Sequence, residues 1–261
     1  MSSQTHTSDS RILGRRTLER DHRRLAELLK PGMAVLDVGC GNGAITAGIA
    51  RAVGTAGSVL GIDCDSTLLE EARARFSGLA NLRFEKQDIL TFDARGRFDI
   101  ASAARTLQWI SRPEEAVERM KSAVKPGGFV VALDYNHTQV VLEPPPPSEF
   151  WTFYDAFLRW RELNSWDNRM GDRLQALLEG VGLQEIAVWV EDESASVEEP
   201  AFKDAVSIWG HVIETLGPQV TLSGLLTEEA RLEAAKAFED WAGTKARRQT
   251  LVLRAARGKV I

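Results

Sequence analysis

Apolar and polar positions alternate in blocks along the first half of the chain. Five short apolar runs predict buried strands, at residues 34–38, 58–62, 82–87, 98–103 and 129–133. Apolar residues at helical spacing predict helices over residues 15–30, 44–53, 66–76 and 112–124, with Ser66 as the N-cap of the third helix. Continuous apolar strands that alternate with helices are typical of a parallel sheet covered on both faces. We therefore expect an α/β fold.

The pattern changes at four consecutive prolines, residues 144–147. The prolines predict a stiff, extended connector. Beyond it, helices are expected over residues 150–163 and 171–180 and over most of 198–243, where Thr227 is the expected N-cap of the last helix. Strands are expected at residues 185–190 and 249–255. Two helical insertions thus interrupt the second half of the predicted sheet.

Charge and cysteine content narrow the classes of partner. The formal net charge of -5 argues against broad binding to nucleic acid or to an anionic membrane. The basic stretch at residues 11–30 is interpreted as a solvated helix face. With two cysteines, no signal-peptide core and no apolar run near the ~20 residues of a membrane span, a cytoplasmic location is expected. No set of Cys or His has metal-ligand spacing, so no metal is expected.

A glycine-rich turn follows the first predicted strand. Residues 37–43 read Asp-Val-Gly-Cys-Gly-Asn-Gly. Glycines let a ligand approach the backbone, and N–H groups at a helix start form an electropositive cradle. Gly39, Gly41 and Ala44, followed by Asp63, also satisfy the fingerprint of a dinucleotide site. The glycines and Asp63 therefore leave NAD and S-adenosylmethionine both open.

Two further carboxylates favour S-adenosylmethionine. Asp37, two residues before the first glycine, would repel a pyrophosphate but suits a ligand that carries a sulfonium and an ammonium group. Asp88, after the third strand, is placed to accept a hydrogen bond from the exocyclic amine of adenine, with Ile89 against the ring. The sequence therefore predicts S-adenosyl-L-methionine as the cofactor.

Taken together, these motifs resemble the class I S-adenosylmethionine-dependent methyltransferases of the small-molecule branch, which includes ubiquinone/menaquinone-type and trans-aconitate-type enzymes. The resemblance is carried by residues 37–43, 61–63, 87–89, 98–110 and 124–128. Each motif is moderately specific, and five in the correct order are highly specific. The resemblance covers about residues 30–135, is weaker over residues 169–182, and beyond that is only architectural.

The resemblance implies a Rossmann-like, seven-stranded, mostly parallel sheet with flanking helices. The final strand is expected to be antiparallel, and the insertions after the fifth and sixth strands are expected to form a helical cap. The domain boundaries expected from the sequence are a disordered tail at residues 1–14, a cofactor-binding core at 15–135, cap insertions at 136–182 and 198–245, and the remaining strands of the core at 183–197 and 246–261.

The same resemblance implies roles at the nucleoside end of the cofactor. The carboxylate of Asp63 would bind the ribose diol, and Cys64 would lie beside the adenine. Asp88 and Ile89 would contact the edge of the adenine ring. The two acidic residues are also explained as plain polar strand ends, and Cys40 and Cys64 as small filler residues.

At the amino-acid end, the resemblance implies that the backbone of Gly39 and Gly41 approaches the methionine and ribose part, with Asp37 organising the loop. The Ala104 carbonyl would accept from the α-ammonium, and Gln108 would lie near the sulfonium. Trp109 is assigned equally to the site and to the core.

The acceptor is expected to be a small molecule. Residues 103–106 read Ala-Ala-Arg-Thr, whereas enzymes that methylate amines of nucleic-acid bases carry an Asn/Asp-Pro-Pro-aromatic tetrapeptide there. No Pro-Cys nucleophile is present either, so the sequence argues against a nucleic-acid partner and, with its charge, against a membrane partner. Aromatic residues crowd the insertions, where they are expected to form either an apolar lid over the site or a packed core.

Three residues are candidates for catalysis. His137 is a candidate general base, with Asp134 orienting it or binding the acceptor, and Arg105 is a candidate partner for an acceptor carboxylate. A single histidine is more often structural. The sequence leaves two rival functions open: an NAD-dependent reductase, and a protein that binds S-adenosylmethionine or its product without turnover. It does not indicate the identity of the acceptor, whether O, N or C is methylated, or the oligomeric state.

Overall fold

The fold is described from a computed structural model in which residues 10–261 are placed, without the side chains of Arg11 and Ile12. Within these residues the strands form one eight-stranded sheet. The strands are β1 (Ala34–Val38), β2 (Ser58–Asp63), β3 (Leu82–Lys86), β4 (Phe98–Ala104), β5 (Val124–Glu143), β6 (Gln184–Val190), β7 (Glu193–Ser196) and β8 (Arg248–Lys259). The predicted α/β class is confirmed, but the predicted count of seven strands is wrong because β7 was not expected.

The sheet has the strand order β3-β2-β1-β4-β5-β8-β6, and β7 pairs with β8. The pairs from β3 to β5 are parallel. Strand β8 runs antiparallel to β6, as expected for the final strand. Because the chain moves outward through β2 and β3 and then returns to β4, the order reverses between β1 and β4. In open α/β sheets, ligands bind at the carboxyl ends of the strands at such a reversal.

The described chain divides into two compact units. The first comprises the described residues up to Asp134 together with Gly171–Val190 and Arg254–Ile261, and the second comprises Tyr135–Met170 and Glu191–Leu253. These boundaries differ from the predicted ones. Residues 171–182 belong to the first unit rather than to an insertion, whereas β7 and the start of β8 belong to the second unit.

The first unit contains three short helices near the N-terminus, α1 (Ser10–Leu13), α2 (Leu18–Asp21) and α3 (Arg23–Ala26). Its longer helices are α4 (Ala44–Val53), α5 (Ser66–Arg75), α6 (Pro113–Ala123) and, apart from its first residue, α8 (Met170–Gly180). Helix α1 lies in the last part of the segment expected to be a tail, residues 1–14, and residues 1–9 lie outside the described residues.

The single helix predicted over residues 15–30 is also interrupted. Thr17 is the N-cap of α2, and His22, with φ -151° and ψ 51°, separates α2 from α3. The N-cap of α5 is Asp65, whose carboxylate accepts from Thr67 N and Leu68 N, rather than the predicted Ser66. A carboxylate at this position satisfies free N–H groups and also suits the positive end of the helix dipole.

The core of the first unit lies between its N-terminal helices and the sheet. Leu18 and Leu25 join Ile45 and Ile49 of α4, which pack over Val35 of β1. The N-terminal segment, which the sequence suggested was a solvated basic face, therefore buries Leu18 and Leu25, while Arg15, Arg20 and Arg23 are exposed.

The second unit is built from helices, strand β7 and the parts of β5 and β8 that lie outside the first unit. Its helices are α7 (Ser148–Leu163), α9 (Phe202–Val206), α10 (Ile208–Thr215), α11 (Gly217–Leu222) and α12 (Glu228–Thr244). Phe150 of α7 stacks on Phe238 of α12 with a centroid distance of 4.7 Å, and Trp241 Nε1 donates to the Pro144 carbonyl at 3.1 Å. Most aromatic residues of the insertions are buried in this core. Their packing supports the interpretation as a core, and a cap over the sheet stays a prediction.

No helix in the described part of the chain is long and apolar enough to cross a membrane.

Gly48 lies where α2 packs on α4, and it provides a test of that packing. A Cβ on Gly48 would approach the Leu18 Cβ to 2.7 Å, so Gly48→Ala forces the helices apart. We expect a loss of about 1–3 kcal/mol in the free energy of unfolding, although alanine favours a helix by about 1 kcal/mol. Urea denaturation followed by tryptophan fluorescence measures the change.

Gly180→Ala at the end of α8 is the matched control, because a Cβ there meets nothing within 4 Å. This variant should be neutral or slightly more stable than the wild type. A Gly48→Ala protein as stable as the control would contradict the close packing of α2 on α4.

Candidate functional site

The loop after β1 lies at the reversal of strand order. Gly39 and Gly41 have φ of 70° and 52°, in the left-handed region that favours glycine. The N–H groups of Gly39 and Cys40 donate to the Ile62 carbonyl, at 2.8 Å and 3.1 Å. A Cβ on Gly39 would collide with Thr106, which follows β4. The glycine loop is therefore held between the ends of β2 and β4, and the close approach of Thr106 requires glycine at position 39.

Asp63, at the end of β2, holds this loop in place. Its Oδ2 accepts from Gly41 N at 2.8 Å, and its Oδ1 accepts from Asp65 N at 2.9 Å. Burial raises the pKa of Asp63, and these two N–H donors oppose the rise. Each carboxylate oxygen has a second lone pair, so Asp63 keeps the capacity to accept from a ligand hydroxyl.

Asp37 is buried at the end of β1, where it bonds to α4. The Thr46 hydroxyl donates to Asp37 Oδ2 at 2.7 Å. Burial raises the pKa of Asp37 to about 7, with a further contribution from the negative charge of Asp63, although the Thr46 hydrogen bond lowers it. Asp37 thus fixes the start of α4 relative to β1, and its protonation changes near neutral pH.

The ends of β2 and β3 meet at the same edge of the sheet. Gln87 N donates to the Asp63 carbonyl at 3.0 Å, and the Cys64 thiol lies 3.8 Å from the Gln87 carbonyl. Asp88 Oδ1 accepts from Leu90 N at 2.9 Å, and Ile89 is buried. Burial, with the nearby Asp88 and Asp63, raises the pKa of Cys64 to about 11, so the thiol is neutral at physiological pH. The structure therefore brings together the four residues that the resemblance assigned to the nucleoside.

The end of β4 carries the residues assigned to the amino-acid end. The Ala104 carbonyl accepts from the Thr106 hydroxyl at 3.1 Å, which leaves its second lone pair. Gln108 lies in the 3₁₀ turn Leu107–Trp109, where its N–H donates to Asp134 Oδ2 at 3.1 Å. Asp134 and Gln108 are each 1% exposed. Asp134 thus anchors the turn after β4 at the end of the first unit.

Arg105 is engaged within the protein. Its Nη1 donates to the Asp21 carbonyl at 3.0 Å, and its Nη2 lies 3.9 Å from Asp21 Oδ1. Arg105 is 5% exposed and Asp21 is 8% exposed. This placement does not support the prediction that Arg105 meets an acceptor carboxylate, because a carboxylate of the protein already lies beside its guanidinium.

His137 belongs to the second unit and lies within β5 rather than after it. Its N–H donates to the Asn168 carbonyl at 2.7 Å, and its own carbonyl accepts from the Tyr154 hydroxyl at 2.6 Å. The rings of Tyr135, Phe157 and Trp209 surround the imidazole at centroid distances of 5.2–6.4 Å. Burial lowers the pKa of His137 well below its usual value, and the buried Arg161 adds to this effect. These contacts favour the structural interpretation of His137 over a role as general base.

Several residues near the site have no signal in the sequence. Asn42 of the glycine loop donates to the Ser10 carbonyl at 3.2 Å, and a Cβ on Gly41 would come within 2.9 Å of Leu13 Cδ1. His22 is 1% exposed and shares a hydrogen bond of 2.9 Å with Ser102 Oγ of β4. Burial and the charge of Arg105 lower the pKa of His22 to about 3. The N-terminal segment is therefore in contact with the glycine loop and with β4.

Comparison with known proteins agrees with this arrangement. A family model described as a methyltransferase domain matches residues 29–167. The trans-aconitate 2-methyltransferase of Deinococcus radiodurans is 33% identical over 134 residues, which cover 50% of this chain and 50% of the relative. The demethylmenaquinone methyltransferase of Desulfitobacterium hafniense is 34% identical over 110 residues, which cover 40% of this chain and 43% of the relative. The chain thus spans half or less of the length of these relatives.

Solved structures share the fold. A phosphoethanolamine N-methyltransferase of Haemonchus contortus, in complex with phosphomonomethylethanolamine and S-adenosylhomocysteine, matches with a TM-score of 0.56 and 16% identity. The match covers 91% of this chain and 51% of that one. The [4+2]-cyclase SpnF matches with a TM-score of 0.53 and 23% identity, over 95% of this chain and 85% of that one. At these identities the likeness shows the fold alone.

The buried Asp37 should make stability depend on pH. Below the unfolded pKa of 3.8 the residue is protonated in both states, and as the pH rises to about 7 only the unfolded state ionises. The free energy of unfolding therefore falls as the pH rises through this window. Asp37→Asn removes this effect, so the stability of the variant relative to the wild type should increase by about 2–3 kcal/mol between pH 5 and pH 8.

Urea midpoints of the ligand-free protein at the two pH values measure this relative stability. Asp93→Asn, which changes an exposed carboxylate of the same unit, should show no such increase. A relative stability of Asp37→Asn that is the same at both pH values would show that Asp37 is ionised throughout.

Proposed function

The chain belongs to the methyltransferase-domain family, and on that premise we propose that it transfers the methyl group of S-adenosylmethionine to a small organic acceptor. One observation carries the proposal. The glycine loop, Asp63 and Asp88 lie at the ends of β1, β2 and β3, where a parallel sheet brings them to one edge.

The residues at this edge fit the cofactor. Gly39 and Gly41 keep side chains out of the loop, and each of the Asp63 oxygens and the Ala104 carbonyl retains accepting capacity. Asp63, Asp37 and Asp88 place carboxylates where a ligand with two positive groups is favoured and a pyrophosphate is not. This charge pattern supports S-adenosylmethionine over NAD.

Each of these residues is assigned to one part of the cofactor. Asp63 accepts from the ribose hydroxyls while it holds Gly41, and Asp88 with Ile89 binds the adenine edge. The Ala104 carbonyl accepts from the α-ammonium, and Gln108 lies toward the sulfonium. When bound, the cofactor supplies an electrophilic methyl group on a positively charged sulfur. The protein then has to align the acceptor with that methyl group and exclude water.

The acceptor is proposed to be a small molecule rather than a nucleic acid. The relatives named above act on trans-aconitate and demethylmenaquinone, which are small organic molecules. The end of β4 carries Ala103, Ala104, Arg105 and Thr106 in place of the tetrapeptide of base-methylating enzymes. Because His137 has a depressed pKa and a packed imidazole, we do not assign a general base. An acceptor that is already deprotonated or carries a free lone pair needs none.

A second candidate function is binding of the cofactor without methyl transfer. The [4+2]-cyclase SpnF has this fold, and its name describes a reaction other than methylation. The fold alone therefore does not specify transfer, and the assay has to measure binding and transfer separately.

Calorimetric titration with S-adenosylhomocysteine and with NADH tests which of the two cofactors the protein binds. We expect micromolar affinity for the former and no binding of the latter. Incubation with S-adenosylmethionine labelled in the methyl group, and with a panel of small carboxylic acids, quinols and amines, tests transfer. Binding without transfer to any acceptor would favour the second candidate function, and binding of NADH alone would overturn both.

Asp63 provides a test of how the cofactor lies in the site. A direct Asp63→Ala substitution would also release Gly41, so we choose Asp63→Asn and compare S-adenosylhomocysteine with its 2′-deoxy and 3′-deoxy analogues. In the wild type, loss of a bonded hydroxyl should weaken binding by about 1–3 kcal/mol. In Asp63→Asn this penalty should shrink, because the two changes remove the same interaction. Penalties that are equal in both proteins would show that Asp63 does not contact the ribose.

A further inference from the structure

The turn after β4 has a backbone conformation that its residue does not favour. Arg105 has a φ of 58°, in the left-handed region that long side chains rarely adopt. Such a conformation persists only where the surrounding structure fixes it, and it is often found beside functional sites. Ala104, immediately before it, offers the carbonyl assigned to the amino-acid end of the cofactor.

The contacts of Arg105 that fix this conformation include two to its main chain and one to its side chain. Its N–H donates to the Leu133 carbonyl of β5 at 2.6 Å, and its carbonyl accepts from Gln108 Nε2 at 3.3 Å. Its guanidinium donates to the Asp21 carbonyl at 3.0 Å and lies beside the Asp21 carboxylate. The first two contacts come from neighbouring parts of the sheet edge, whereas the third comes from the N-terminal helix α2.

Asp21 is itself firmly placed. Its Oδ2 accepts from Thr17 N at 2.7 Å and from Arg20 Nε at 3.1 Å. The next residue, His22, is bonded to Ser102 in the middle of β4. The segment is thus anchored to β4 and to the turn after it. Because Asp21 and Arg105 are both nearly buried, little water screens their attraction.

We propose that Asp21 is a positioning residue for the cofactor, because through Arg105 it holds the turn that presents the Ala104 carbonyl and Gln108 to the amino-acid end of the ligand. The role rests on the proposed function. Asp21 has its contacts with Thr17, Arg20 and Arg105, so it acts through Arg105 rather than on the ligand itself. The nucleoside end is held by residues after β2 and β3 and does not depend on Asp21.

This division between the two ends of the ligand gives a selective test. S-adenosylhomocysteine carries the amino-acid end, whereas 5′-methylthioadenosine has the same nucleoside and lacks it. Asp21→Asn keeps the main-chain hydrogen bond to Arg105 and removes the attraction between the carboxylate and the guanidinium. For the loss of this buried attraction we expect about a tenfold loss of affinity for S-adenosylhomocysteine. The affinity for 5′-methylthioadenosine should stay unchanged. Calorimetric titrations well below the unfolding temperature measure both constants.

Glu19→Gln is the matched control, because it removes the same charge from an exposed position of the same helix. It should bind both ligands as the wild type does. Arg105→Lys tests the same Asp21–Arg105 contact by changing the arginine, and it keeps the positive charge. This variant replaces Asp21→Asn in the test if Asp21→Asn does not fold. It should also lose affinity for S-adenosylhomocysteine alone. If Arg105 instead bound the acceptor, this variant would raise the acceptor KM and leave both titrations unchanged.

Equal losses for the two ligands, or no loss for either, would overturn the positioning role and leave the proposed function standing. A wild-type protein that binds neither ligand would overturn the proposed function, and the positioning role with it.

Discussion

The hydrogen bond from Gly41 N to the Asp63 carboxylate joins the two loops on which the candidate site depends. At 2.8 Å it ties the loop after β1 to the end of β2, at a glycine whose φ of 52° lies in the left-handed region. The loop is fixed on its other side by Thr106, which packs where a side chain on Gly39 would lie. The ends of β1, β2 and β4 therefore form one structural unit before any ligand arrives, so less order has to be created on binding.

Two buried titratable groups, Asp37 and His22, contact the strands that end at the candidate site. Burial raises the pKa of Asp37 to about 7 and lowers the pKa of His22 to about 3, so folding is opposed by ionisation of Asp37 at high pH and of His22 at low pH. Perturbed groups of this kind cluster at functional sites. Asp37 destabilises the ligand-free fold when it ionises. A positively charged ligand nearby would offset this cost, which explains the presence of a carboxylate at this position.

The second unit contributes a different kind of structure. Its aromatic rings pack face to face and edge to face, as between Phe150 and Phe238 or between Tyr154 and Trp209, and they fill the interior of the unit. The backbone groups of His137 are bonded within this unit, which explains its position without a catalytic role.

The sequence by itself determined the alternation of strands and helices, the glycine loop and the carboxylates at the ends of three strands. These features follow from local spacing, and parallel strands necessarily bring their carboxyl ends to one edge. Only the tertiary structure decided the partners of Asp21, His22, Arg105 and His137. Arg105 and Asp21 are 84 residues apart, and a basic stretch has the same sequence pattern whether it faces water or docks on a strand. Strand β7 was not predicted for the same reason. Its residues 193–196 read Glu-Ser-Ala-Ser, which has no apolar run, and they form a strand by pairing with β8.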